Sequence, residues 1–537
     1  MRASTRAGRG RLLRAVTGAV VILSVAIACR GGGSPGVGDD NPKVLRVGTP
    51  FFVAGPEFHL DPRVGITGNE NTWLYALYAP VMKYTTSKNS YEPNLAQSVT
   101  ITSPTSVDIV LRDDATFDNG NPVTADDAKA TLGAMIANLK AGKGRGLNQG
   151  LRLVDNVKVT GGKRYTINFS APAKGIVHEL LAGREGMILP AGAGATQDTK
   201  PVGNGAFKLG SLTNEVSLSL VKSDSYFDAD SVALDGLEFR NLAEGQPQMN
   251  ALLAGDIDLT SGPVAGGLSS ELLKTIEGRS GLQAVTFLGN GFAYFDMCRA
   301  DGYLFNDVRV RQAIQFGTDR EALAKAIYGD SKLASGQVWS RENALYDPAI
   351  DEKYGYDPDK AKQLLAEAGV KPGTTVRVVV SSAHPAAEQT MLLMKDQWKQ
   401  IGLGLNISQT DDQNSAFYLP GATQETKFDG TYNVFSRPPS TKISVLFTPE
   451  SLKNGCNFVD QRIVKGYTEL QGLDPTEPAT VAAWKTLDDY IASINALMPL
   501  MNAPIFIGAS DRVENLSADT LGPVGIVGPN YAAIRMK

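Results

Sequence analysis

Residues 95–132 read LAQSVTITSPTSVDIVLRDDATFDNGNPVTADDAKATL, and their pattern sets the local architecture. Val99 and Ile101, then Val107, Ile109 and Leu111, alternate with polar residues, the period of two of strands with one buried face. Ser103-Pro104 breaks the run, so a hairpin is expected. Asp118-Asn119-Gly120-Asn121-Pro122 combines residues that tolerate positive φ with one of fixed φ, which demands a turn. A helix follows: Thr124 is placed to cap it and Asp127 to answer as a capping box, while Ala128, Leu132, Met135, Ile136 and Leu139 form an apolar stripe.

Working outward, 537 residues exceed one ordinary core, so two or three domains are expected. Composition, 42% hydrophobic and 20% charged, is that of a folded globular chain. Arg2, Arg6, Arg9, Arg11 and Arg14 precede an apolar run from Ala15 to Ala28 and then Cys29. This reads as a signal peptide over 1–28 ending in a lipobox-like site, with Cys29 as the lipidated residue. Ala26 stands where Leu is usual, and soluble secretion or an uncleaved anchor are the alternatives. Residues 29–42, rich in glycine, read as a tether. Removing the leader takes the formal charge from -4 to about -9, which argues against a nucleic-acid partner. Cys298 and Cys456 form either a disulfide in an oxidising compartment or two buried thiols.

Further elements follow in order. Lys43–Thr49 is a strand leading to Phe51-Phe52, and Leu60-Asp61-Pro62 a turn. Residues 71–84 hold a helix ended by Pro80. Val154–Val159 and Tyr165–Phe169 are strands, and His178 lies in a helix from Lys174 to Leu181. Strand 234–240, helix 246–253 and the run Ala254–Leu259 form a crossover unit of a mostly parallel sheet. Phe292–Met297 is an apolar strand, and Gly289-Asn290-Gly291 before it marks the crossing between lobes. Asp307 opens a helix whose arginines, Arg309, Arg311 and Arg320, are expected in structural ion pairs. Asp357 caps, Pro358 starts and Gly369 ends another helix. Val376–Val380, Glu388–Gln400 and Leu403–Ile407 make a second crossover unit, followed by helix 479–496 and strand 499–506.

The string Leu111-Arg-Asp113, Phe117 and Asp118-Asn-Gly-Asn-Pro-Val-Thr-Ala-Asp-Asp127 resembles the fingerprint of the family 5 extracellular solute-binding proteins of ABC importers, the peptide/nickel class. Asn121 replaces the usual Thr or Ser. Pro201–Leu209, Ala254–Leu259, Phe305–Ile314 with Thr318–Glu321, and Tyr356–Gly369 are similar to further family motifs. The resemblance implies an α/β, two-lobed periplasmic-binding-protein-like (class II) fold with an extra subdomain in the first lobe. Expected boundaries are 43–84, 196–286 and 508–537 for the main domain of lobe I, 85–195 for its subdomain, and 287–507 for lobe II. It implies capture of a small solute, a short peptide first by family frequency, and delivery to permease and ATPase subunits by a monomer held outside the cytoplasm by lipid on Cys29.

Implied ligand contacts are Phe51 and Phe52 after the first strand, Trp339 in the loop after the Asp319-Arg320 helix, and Tyr432, Asn433, Ser436 and Arg437 in the run 428–439. That run lacks the family's tryptophan and the acid that meets a peptide amino terminus, and Arg437 suits a carboxylate or phosphate if it faces the cleft. One of the two phenylalanines is equally suited to the core. Three histidines, at 59, 178 and 384, fit no metal spacing, and no Gly-x-Ser-x-Gly elbow or nucleotide motif occurs. No cofactor, metal site or catalytic activity is expected. A lipid-anchored scaffold or chaperone-like protein and a secreted hydrolase are the competing readings.

Overall fold

The computed structural model describes residues 42–537 except 52–57, 65–69, 87–89, 144–147, 244, 262–267, 342, 383–384, 419–425, 437–438, 449–452, 474–476 and 523–527. The expected leader, Cys29, Phe52 and Arg437 lie outside the described residues.

A ten-stranded mixed sheet runs through these residues. Its strands are β1 (Val44–Thr49), β2 (Phe207–Thr213), β3 (Ser217–Lys222), β4 (Gly236–Asn241), β5 (Leu259–Thr260), β6 (Leu282–Met297), β7 (Thr374–Ser381), β8 (Leu403–Thr410), β9 (Gly430–Ser436) and β10 (Met498–Ser510). The spatial order is β8-β7-β9-β6-β10-β5-β1-β4-β3-β2. β4 and β5 flank β1 and run parallel to it, as the crossover reading requires, and β7 lies parallel to β8. The middle departs from the mostly parallel expectation, because β6 pairs antiparallel with both β9 and β10.

Separate apolar cores form at the two ends of this sheet. Leu45, Val47, Trp73, Leu74, Phe207, Leu237 and Phe239 close over one end together with Ile505 and Ile507. At the other end β6 is buried on both faces. Ala293, Phe295 and Met297 join Val378, Met391 and Trp398, while Phe292 and Tyr294 join Trp339, Ile463 and Trp484. Burial on both faces explains its near-continuous apolar sequence.

The opening stretch folds as read. Ala96–Ser103 pairs antiparallel with Ser106–Leu111 in a four-stranded sheet completed by Arg164–Phe169 and Val154–Gly161. Gly120 takes φ +84° in the turn, and helix Ala125–Lys140 carries the Thr124/Asp127 capping box. Asp127 also accepts from Ala191 N at 2.7 Å, so the cap pins the chain leaving the subdomain.

Asp118 N donates to Gly203 O at 2.8 Å, and Gly203 N donates to the Asp118 carboxylate at 3.2 Å. Gly203 and Gly205 lie so close to the carbonyls of Leu77 and Ala76 that a Cβ on either would overlap backbone. Asn204 Oδ1 meanwhile accepts from Ala79 N at 3.0 Å. Three sequence motifs thus converge on the end of helix Asn71–Leu77.

The arginines correct one expectation. Arg309 pairs with Asp307 at 2.6 Å, but Arg311 and Arg320 make no ion pair among the described residues. Arg311 donates to the carbonyls of Phe305 (2.9 Å), Asn306 (2.8 Å) and Ile494 (2.8 Å), and Arg320 donates to Pro499 O at 2.9 Å. Both are buried and pulled down to about 10 by desolvation. A guanidinium carries a fork of donors, and here backbone oxygens at the approach to β10 occupy it.

Cys298 and Cys456 are joined in a disulfide with Cα atoms 5.0 Å apart, within the usual span. The bond ties the residue after β6 to a segment 158 positions away. Replacing both cysteines by alanine is expected to lower unfolding stability by about 2–5 kcal/mol, measured by urea titration of the oxidised chain and the variant. Gly205→Ala is expected to cost about 1–3 kcal/mol by overpacking, while Gly192→Ala, where an added Cβ meets nothing, is expected to change the midpoint little.

Candidate functional site

β6 and β10 are long enough to run from one core into the other. Their register holds from Leu282↔Ser510 to Leu288↔Pro504, breaks, and resumes at Phe292↔Asn502. Gly289, Asn290 and Gly291 therefore stand opposite Ala503 alone, a bulge that frees backbone groups and bends the strand. Asn290 is held from several sides. Its Oδ1 accepts from Asn343 at 3.4 Å and its carbonyl accepts from the Lys442 ammonium at 3.0 Å. Its side chain also faces the Tyr84 hydroxyl, which burial pushes up and this amide draws back down.

Lys442 is 1% exposed. It also donates to Val338 O at 2.6 Å and sits 4.8 Å from the ring centroids of both Phe292 and Trp339. Burial holds the ammonium down to about 7, and the charge of Asp488 opposes that shift. Asp488 is itself pushed up to about 7 by burial, against the nearby indole N–H of Trp339 and the attraction of Lys442.

Two helices distant in sequence touch nearby. A Cβ built on Gly175, in helix Lys174–Ala182, would stand 2.8 Å from Leu470 O, in helix Gln461–Gln471. Gly472 packs against Pro172. Tyr467, on the same helix, is shifted upward by burial, with a contribution from the charge of Glu179 across the interface. These contacts bring the lobes together over Tyr84, Glu179, Asn290 and Tyr467.

β9 enters this region with one open edge. Asp429 O accepts from Cys298 N beyond the end of β6, whereas Tyr432 O accepts from the Gln413 side chain at 2.6 Å. Odd residues thus aim their backbone at β6 and even residues away from it. On the outer side β7 pairs at Gly430 and Thr431. Val434, next in the even set and 36% exposed, has no strand beside it on that side among the described residues.

Against this geometry the sequence candidates separate. Phe51 is 3% exposed and packs on Phe58 (4.9 Å) and Trp73 (5.5 Å). Tyr432 is buried in the core beside β7, and Trp339 stands edge-on to Trp484 at 6.3 Å. All three rings are buried against other side chains. Asn433 is buried, its Nδ2 3.3 Å from the Tyr418 hydroxyl, and Ser436 is half-buried at the end of β9. Sequence reading missed Asn290 as a contact, Lys442, Glu179, Tyr467 and Val434. The one available signal was a lone lysine in the otherwise uncharged helix Pro439–Phe447.

A cavity of about 770 Å³ opens on the other side of Tyr84, which lines it together with Tyr75, Arg112, Phe227 and Tyr531. Among the described residues no group of three His, Cys, Asp or Glu could hold a metal ion, and no helix is long and apolar enough to cross a membrane.

Comparison with known proteins fits this architecture. A putative ABC transporter peptide-binding protein of Brucella ovis is 25% identical over 389 residues, covering 67% of this chain and 70% of that protein. Heme-binding protein A of Haemophilus influenzae is 28% identical over 228 residues, 41% of this chain and 39% of that protein. Among solved structures, a periplasmic EDTA-binding protein superposes with TM-score 0.78 at 20% identity, over 92% of this chain and 97% of that one. The DppA protein of Helicobacter pylori in complex with the peptide STSA gives TM-score 0.74 at 16% identity, over 92% and 98%. Those structures share the two-lobed periplasmic-binding-protein fold. The family profile described as bacterial extracellular solute-binding proteins, family 5 Middle, matches residues 90–442, and the chain belongs to that family.

Proposed function

We propose that this protein is the solute receptor of an ABC importer and that its solute is a short peptide, held between the lobes and passed to a membrane permease driven by separate ATPases. The observation that carries the peptide reading is the open edge of β9. Val434 offers an N–H and a C=O with no strand on that side among the described residues, and an extended main chain supplies the matching pair. Main-chain recognition leaves the side chains of the solute unconstrained, which suits a receptor for varied peptides.

The reading includes a lobe I of residues 43–84, 196–286 and 508–537, its subdomain 85–195 and a lobe II of 287–507. It also includes removal of a leader over 1–28, a lipid on Cys29 with 29–42 as tether, a monomeric state, and no turnover of the solute. Phe52, Ser436 and Arg437 remain its proposed contacts. Arg437 would take the carboxylate end of the peptide, in place of the acid that other family members direct at the amino end.

A tripeptide library screened by thermal shift on the mature chain tests the class of solute, since a ligand at one hundred times its Kd adds about 2.7 kcal/mol. Val434→Pro removes the edge N–H where a strand edge tolerates proline. It is expected to weaken tripeptide binding at least tenfold by calorimetry, with the unfolding midpoint little changed. No stabilisation by any tripeptide, alongside saturable stabilisation by nickel-histidine or iron-EDTA chelates, would overturn the peptide reading.

A further inference from the structure

Asn290 stands in the break of the β6–β10 register, and its buried carbonyl takes a donor from outside that ladder. Lys442 supplies it. The same ammonium holds Val338 O, in a loop whose Asn343 bonds the Asn290 side chain and whose Trp339 O accepts from Asn502 Nδ2 at 3.5 Å. Asn502 is the β10 residue at which register resumes. One nitrogen therefore joins helix Pro439–Phe447, which follows β9 in the chain, to β6 directly and to β10 through the Val338–Trp339 loop.

Burying an ammonium is expensive, and methionine of similar length would fill the space without that cost. The rings of Phe292 and Trp339 and the carboxylate of Asp488 offset part of it, but packing alone gives no reason for a lysine. The carbonyls it holds do. We propose that Lys442 is the positioning residue that couples the β9 strand and its following helix to the hinge at Asn290, so that events at the solute edge and rotation of the lobes move together. This rests on the cleft being the solute site, but its test uses no solute and so fails or succeeds apart from the peptide reading.

The experiment is hydrogen–deuterium exchange with mass spectrometry on the mature chain without added ligand. In Lys442→Met, exchange of peptides spanning 286–293 and 500–505 is expected to rise at least tenfold, while helix Pro385–Gln400, in the same lobe, keeps its wild-type rate. Unchanged hinge exchange in a folded Lys442→Met variant would overturn the proposal. A rise shared equally by helix Pro385–Gln400 would do the same, marking Lys442 as general packing. Should the methionine variant not fold, acetylation of wild-type Lys442 by acetic anhydride decides. Protection of its amine tracking that of the hinge amides within threefold supports the coupling, and reaction only upon global unfolding refutes it.

Discussion

The structure depends on a pair of antiparallel strands shared by two cores, with three residues of one strand set against a single residue of the other. Flanking pairs fix the register firmly, because a slip by one residue would exchange the two buried faces of β6 and set each side chain in the wrong core. Between them Gly289 and Gly291 leave the backbone room to turn. A hinge inside a continuous strand differs from one in a loop: it bends where the ladder is interrupted and stays stiff on either side.

Around that joint the chain spends charged groups on backbone oxygens. Arg311 and Arg320 grip carbonyls leading into β10, and Lys442 grips one in the bulge itself. These cations are desolvated, and hydrogen bonds to charged donors are the stronger kind, so the arrangement favours fixed geometry at a cost in solvation. The acids are distributed differently. Asp127 serves a cap and a chain exit, and Asp307, Asp319 and Asp357 cap helices. None of these carboxylates is left over for acid–base work.

Local chemistry made much of the fold legible in advance. The hairpin, the capping box at Thr124 and Asp127, the Pro358 helix and both crossover units rest on spacing within a few residues, and the structure forms each of them. The site was less legible because its pieces meet only through long-range folding. Gly175 against Leu470 pairs positions with no signal in either neighbourhood. An aromatic at a strand end fits a core and a cleft equally well, so the sequence did not decide between them for Phe51 and Tyr432, which the structure buries. Arg311 read as an ion-pair residue because carbonyl oxygens, its actual partners, are carried by every residue and mark no sequence.

The disulfide bears on how the protein should be made. It joins the residue that follows β6 to the stretch just ahead of helix Gln461–Gln471, whose far end meets the opposite lobe. A recombinant chain kept in a reducing cytosol would lack that staple. Material exported through an oxidising secretory route is the preparation that carries it.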